Sequence, residues 1–266
     1  MRSNPWMTAA AVALGLIAAQ GASRFVKSAE GASAVRTAGA DTAFVTLGSG
    51  ETQTGAFVAL PPGAKKAPVV IVVQEWWGLN GQIRDVATRL ARQGYLAIAP
   101  DLYHGRVAED AMQAHELSRG VTDEGSVRDL DAAMAWVKAQ PRSSGRVAVM
   151  GFCLGGGVAL HYALHSPDLA AAVMFYGAPE TDPDRLASLH VPLQGHFGAD
   201  DKGIPPDRVE AFRAALQRAN KPNDLYVYAG AGHAFMHDGL PSYRVDAAKT
   251  AWARTLAFLQ KNLKGE

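Results

Sequence analysis

The sequence predicts an α/β fold with a mostly parallel central sheet and helices packed on both of its faces. Three observations predict it. Short, largely apolar runs recur, the clearest being the β-branched stretch Pro68 to Val73, as expected of strands buried on both sides. Between these runs lie segments whose apolar residues repeat at helical spacing. The two kinds alternate, and repeated β-α-β units imply parallel strands joined by crossover helices.

After the strand at Pro68 to Val73, a helix is expected from Ile83 to Gln93, with Ile83, Val86, Ala87, Leu90 and Ala91 on one face and Gly94 closing it. Tyr95 to Ala99 is the next buried strand, stopped by Pro100. Val127 to Ala139 repeats the helical period and ends before Pro141. Arg146 to Met150 is a strand followed by a glycine-rich turn and a helical segment from Gly157 to His165. Ala170 to Tyr176, Val191 to Phe197 and Asp224 to Tyr228 supply further strands, with helices at Asp207 to Ala219 and Ser242 to Leu263. No internal repeat of solenoid or propeller length is present. Sites in such sheets lie beyond the carboxyl ends of the strands.

With 266 residues, 48% hydrophobic and 19% charged, the chain can bury one sizeable core. The formal charge of +1 and the lack of long basic runs argue against nucleic acid as a partner. A single cysteine rules out an intrachain disulfide and any multi-cysteine metal site. At the N-terminus, Arg2 precedes the apolar run Ala9 to Ala19, and Gly21, Ala22 and Ser23 follow. This reads as a secretory signal with a thin basic region, and export is the expectation. The run is too short for a stable membrane span, which needs about 20 apolar residues. Residues from Ala22 to about Thr42 are rich in Ala, Gly and Ser and read as a linker, so the folded domain is expected over 43–266.

Gly151-Phe152-Cys153-Leu154-Gly155 lies between a strand and a helix and matches the nucleophile-elbow pattern G-x-S-x-G of the α/β-hydrolase fold, with cysteine replacing serine. The glycines suit a strained turn that crowds neighbouring backbone. The helix that follows aims its N-terminal amides at the sulfur and favours a thiolate. A buried structural cysteine beside a tight turn is the plainer reading. The strand-turn-helix context favours the nucleophile.

Such a nucleophile needs a base, and the base an orienting carboxylate, in the order nucleophile, acid, histidine. Asp200 and Asp201 follow the strand ending near Phe197, and His233 follows the strand Asp224 to Tyr228. Only one of the two aspartates can be the acid. Glu75 directly follows an apolar strand and precedes Trp76 and Trp77. From its position it is either a solvent-facing strand end or a partly desolvated proton acceptor. The N–H of Leu154 and of Trp76 are the natural oxyanion donors. Trp76, Trp77, Tyr103 and Tyr176 are candidates for an aromatic pocket, or for ordinary packing.

These segments, together with Gln74 to Asn80, Ala99 to Tyr103, Gly198 to Asp201 and Ala231 to Phe235, resemble the dienelactone hydrolase (carboxymethylenebutenolidase) family over roughly Thr54 to Leu263. The resemblance implies a cofactor-free, metal-free hydrolase of small ester or lactone substrates. It implies a triad of Cys153, Asp201 and His233, with Asp201 preferred over Asp200 by ungapped spacing, and Glu75 as the group that deprotonates the thiol. It also implies two arginines that hold a substrate carboxylate, but Ala111 and His237 occupy those positions. Neither offers the permanent charged fork of arginine. A broad carboxylesterase or thioesterase for neutral substrates is therefore one alternative, and a catalytically silent binding module of the same fold is another.

Overall fold

The computed structural model describes residues 35–37, 40–50, 53–63 and 66–265; the signal-like run and most of the expected linker lie outside them. The chain opens with strands β1 (Val35–Thr37), β2 (Ala40–Leu47) and β3 (Thr54–Leu60). It continues through β4 (Ala67–Val73), α1 (Gly81–Arg92), β5 (Leu96–Pro100), α2 (Ala111–Arg119), α3 (Asp123–Ala139), β6 (Ser143–Phe152), α4 (Leu154–His165) and β7 (Ala171–Phe175). A single turn, α5 (Pro183–Leu186), then leads to β8 (Leu193–Gly198), α6 (Pro206–Arg218), β9 (Asn223–Tyr228) and α7 (Val245–Lys264).

The described strands form one nine-stranded sheet in the order β1-β2-β3-β5-β4-β6-β7-β8-β9. From β5 to β9 every neighbouring pair is parallel, while β1, β2 and β3 add an antiparallel edge. One face buries α1 and α7 through Ile83, Leu90, Phe258 and Leu259. The other buries α3, α4 and α6 through Leu130, Leu160, Phe212 and Leu216. This is the α/β-hydrolase arrangement the sequence predicts. Among the described residues, no helix is long and apolar enough to cross a membrane.

Two expectations need correction. The end of the expected linker belongs to the sheet: Thr42 pairs with Ala59 and Asp41 with Leu60, so the folded unit reaches back at least to Ala40. The first residues of β2, Ala40, Asp41 and Thr42, carry no apolar alternation of their own, and composition alone reads them as linker. The second correction concerns α4, which begins at Leu154, directly after Cys153, so that Gly155, Gly156 and Gly157 lie inside the helix and not in a turn before it. Those positions are glycine because of what they touch. A Cβ on Gly155 would stand 2.4 Å from the carbonyl oxygen of Gln74, so only glycine lets the helix start this close to the end of β4.

Candidate active site

Strand β6 is central, paired with β4 through Gly151 and Val73 and with β7 through Phe152 and Phe175. Its carboxyl end therefore delivers Cys153 between the ends of two flanking strands. Cys153 adopts φ 52° and ψ −116°, an uncommon conformation for a residue with a side chain, costing about 1–3 kcal/mol. It is fixed from both sides, its N–H donating to the Phe175 carbonyl (3.0 Å) and its own carbonyl accepting from the Gly156 N–H (3.0 Å). A Cβ on Gly151 would lie 1.9 Å from the carbonyl oxygen of Gly155, which is why the chain can reverse this sharply only with glycine there. The strained turn lifts the thiol out of the sheet at the start of α4, and the cysteine stays partly accessible. Within the described residues, no hydrogen bond uses the N–H of Leu154 or of Trp76, so both predicted oxyanion donors are free of backbone acceptors.

Asp201 and His233 come to Cys153 from the ends of β8 and β9. His233 Nε2 lies 3.1 Å from Cys153 Sγ, and His233 Nδ1 lies 2.7 Å from Asp201 Oδ2. The other carboxylate oxygen, Asp201 Oδ1, accepts from the N–H groups of Gly203 (2.9 Å) and Ile204 (3.1 Å). With both oxygens committed and only 3% of its surface exposed, Asp201 is held in one orientation. Burial alone would raise its pKa, but the hydrogen bond from His233, its charge and the two backbone N–H groups outweigh that and lower it. Burial pulls the His233 pKa down, yet the hydrogen bonds to Asp201 and Cys153 and their charges push it up to about 10. Asp200 is exposed, and its backbone N–H donates to Ala231 (2.9 Å). The geometry thus separates the two aspartates that sequence order leaves open.

Glu75 lies at the end of β4 and is 2% exposed. Tyr176 donates its hydroxyl to Oε1 (3.2 Å), and His237 Nδ1 meets Oε2 at 2.9 Å. Tyr176 is fully buried; burial first, then the Glu75 and Cys153 charges, raise its pKa well above that of an ordinary tyrosine, so its hydroxyl stays a donor. The hydrogen bond to Glu75 raises the His237 pKa against the opposing effect of burial. Both oxygens of Glu75 are engaged, by Tyr176 and His237, and among the described residues His233 is the side chain hydrogen-bonded to Sγ. The solvent-facing alternative for Glu75 is excluded by its burial.

A cavity of about 560 Å³ opens on this cluster and is lined by Cys153, Leu154, Tyr176 and His233, with Arg185 and Arg208 among the charged residues around it. Trp77, Tyr103 and His237 are not among its lining residues. Trp76 and Trp77 pack edge to face at 5.2 Å, and Tyr103 donates its hydroxyl to the Trp76 carbonyl (2.9 Å), buttressing the loop after β4. Ala111 is the exposed first residue of α2. Sequence reasoning did not find the bond between His237 and Glu75, which joins residues 162 apart. It also did not single out Arg208, for which the only available signal was its place in the first turn of the helix after the triad acid.

Comparison with known proteins identifies the family. A family model described as the dienelactone hydrolase family matches residues 54–263. A Yersinia pestis protein provisionally named a carboxymethylenebutenolidase is 39% identical over 209 residues, covering 73% of this chain and 78% of its own. A Klebsiella pneumoniae structure described provisionally as a dienelactone hydrolase superposes with TM-score 0.75 at 37% identity, over 81% of this chain and 97% of that one. A dienelactone hydrolase-like promiscuous phosphotriesterase from metagenomic libraries superposes with TM-score 0.76 at 25% identity, over 85% and 99%. The match spans every strand from β3 onward and includes Glu75, Cys153, Asp201 and His233, and the chain belongs to the dienelactone hydrolase family, a hydrolase acting on ester bonds.

Proposed function

We propose that the chain hydrolyses carboxylic esters or lactones with Cys153 as nucleophile and His233 and Asp201 completing the triad. The observation that carries this is the continuous chain from Sγ to Nε2 (3.1 Å) and from Nδ1 to Oδ2 (2.7 Å) at a strained elbow. The thiol proton passes to His233, the thiolate attacks the carbonyl carbon, and the N–H groups of Leu154 and Trp76 hold the oxyanion. Collapse returns the proton from His233 to the departing alkoxide and leaves a thioester on Cys153. Water then attacks the thioester with its proton going to His233, and the thiol regains that proton as the acid leaves.

Family resemblance makes Glu75 the second candidate acceptor for the thiol proton. To take the thiol proton it must first turn an oxygen away from His237 or Tyr176, so the family role of this glutamate depends on a substrate that loosens one of those contacts. Ala111 is exposed and His237 is committed to Glu75, so neither supplies a cation to the substrate. Those two positions favour neutral esters or thioesters as a second reading.

Cys153→Ala tests the central claim on activated aryl esters and lactones. Turnover is expected to fall to the background rate, and iodoacetamide at neutral pH is expected to label the parent protein once and the variant not at all. Full esterase activity in Cys153→Ala would sink the reading. An unlabelled parent protein that turns over nothing would point to a silent binding module.

A further inference from the structure

We propose that Arg208 recognises a carboxylate on the substrate and so sets the enzyme's preference within its ester and lactone range; this rests on the assignment of Cys153 as the reacting centre. The cavity over Cys153 carries several charged groups, and all but one have a partner of opposite sign. Arg185 is paired with Glu180 at 2.8 Å. His161 faces Asp123 at 4.0 Å, and His233 is bonded to Asp201. Arg208 pairs with no carboxylate among the described residues. Its guanidinium makes one long contact, Nη1 to the Gly203 carbonyl at 3.4 Å. The neighbouring Asp207 turns its carboxylate onto the backbone N–H of Arg208 (2.9 Å) and not onto the guanidinium. A guanidinium has five N–H donors in a planar fork, and most of those on Arg208 remain free for a bidentate acceptor.

The residue is also well placed. Arg208 sits in the first turn of α6, whose start is stiffened by Pro205 (φ −68°) and Pro206. The loop before it, Gly203 and Ile204, is tied by two N–H bonds to Asp201 Oδ1. One rigid segment thus carries both the acid of the triad and the free cation, and the same cavity is lined by Gly203, Ile204, Arg208 and Cys153. Holding the guanidinium in register with the reacting centre reduces the ordering cost of binding. A carboxylate bound there lies on the α6 side of the cavity, away from Ala111 and His237.

The test compares a carboxylate-bearing aryl ester with its carboxamide isostere in the full-length protein, Arg208→Gln, Arg208→Lys, and Arg213→Gln, which changes a residue on α6 bonded to Glu210 outside the cavity. The parent protein is expected to prefer the carboxylate. In Arg208→Gln the ratio of kcat/KM between the two substrates should fall about tenfold, with the loss in KM for the carboxylate, as for one charge-assisted contact. Arg208→Lys should recover part of it, and Arg213→Gln should keep the parent ratio. Raising the salt concentration should shrink the preference. An unchanged ratio in Arg208→Gln overturns the proposal while leaving the cysteine mechanism standing. If the parent protein turns over neither ester and Cys153 is not labelled, the underlying hydrolase reading fails and this proposal falls with it.

Discussion

Replacing Asp201 with Asn changes one atom at the centre of the site and leaves the loop around it intact. The amide oxygen can still accept from the Gly203 and Ile204 N–H groups, as Oδ1 does now at 2.9 and 3.1 Å. The amide nitrogen then faces His233 Nδ1, where the carboxylate stands at 2.7 Å. That nitrogen is a donor, so the ring must present a lone pair at Nδ1 and carry its proton at Nε2, towards Cys153 Sγ. The imidazole can no longer take the thiol proton. Loss of the charge-assisted bond costs about 1.5–3 kcal/mol of imidazolium stability, or about 10- to 150-fold at roughly 1.4 kcal/mol per tenfold. The wrong tautomer adds to this, and the corresponding change in serine triads lowers kcat on the order of 10⁴-fold. We expect a fall in kcat between those limits for an activated aryl ester, with the urea midpoint showing the variant folded. Asp200→Asn, at the exposed neighbour, should stay within about twofold on the same scale. Activity in Asp201→Asn within threefold of the parent protein, or an equal loss in Asp200→Asn, would refute the argument.

Two further predictions follow from the same geometry. The His233 pKa is raised from 6.5 to about 10, so the stability it contributes is fully present below about 6.5 and is lost as pH rises through about 10. The gap in Tm between the parent protein and His233→Gln should therefore narrow above about pH 9, and a gap that stays constant to about pH 10.5 would contradict the assigned contacts. Gly155→Ala forces a Cβ to 2.4 Å from the Gln74 carbonyl, whereas at Gly157 the nearest atom is 3.6 Å away. Thermal denaturation should show the first destabilised by about 3 kcal/mol or more and the second close to the parent protein; equal Tm values would show that α4 can shift away from β4.

How much of this was legible in the sequence depends on how local each constraint is. The elbow was legible because a strained turn between β6 and α4 imposes glycine at Gly151 and Gly155, within two residues of Cys153. Asp201 and His233 were legible through their order and their places after β8 and β9, but choosing Asp201 over Asp200 required spacing borrowed from a family. The structure supplies the physical reason, since one carboxylate is buried against His233 and the other is exposed. The antiparallel edge β1 to β3 was not legible as such: β2 and β3 do bury Leu47, Phe57 and Val58, but their pairing partners are set by ladder bonds across the sheet and not by any local pattern. Nor was the role of His237, whose partner Glu75 lies across the sheet ends at a separation that no local pattern encodes.

That last contact bears on how the site could receive an acidic substrate. Glu75 is almost completely buried, and a carboxylate in such a place is tolerated only with partners. His237 and Tyr176 are those partners. Drawing His237 onto a substrate carboxylate would leave Glu75 with one neutral hydroxyl, and breaking a buried pair in this way costs about 3–5 kcal/mol. Arg208 has far less to give up, a single contact to the Gly203 carbonyl at 3.4 Å on an exposed side chain. A substrate carboxylate therefore binds Arg208 at lower cost than His237. The triad supplies a further reason for a cation on that side. With the thiol proton on His233, the group of Cys153, His233 and Asp201 carries one net negative charge, which repels an approaching anion. Arg208, in the helix turn that follows the Asp201 loop, offsets that charge within the cavity. His237 is left to its bond with Glu75.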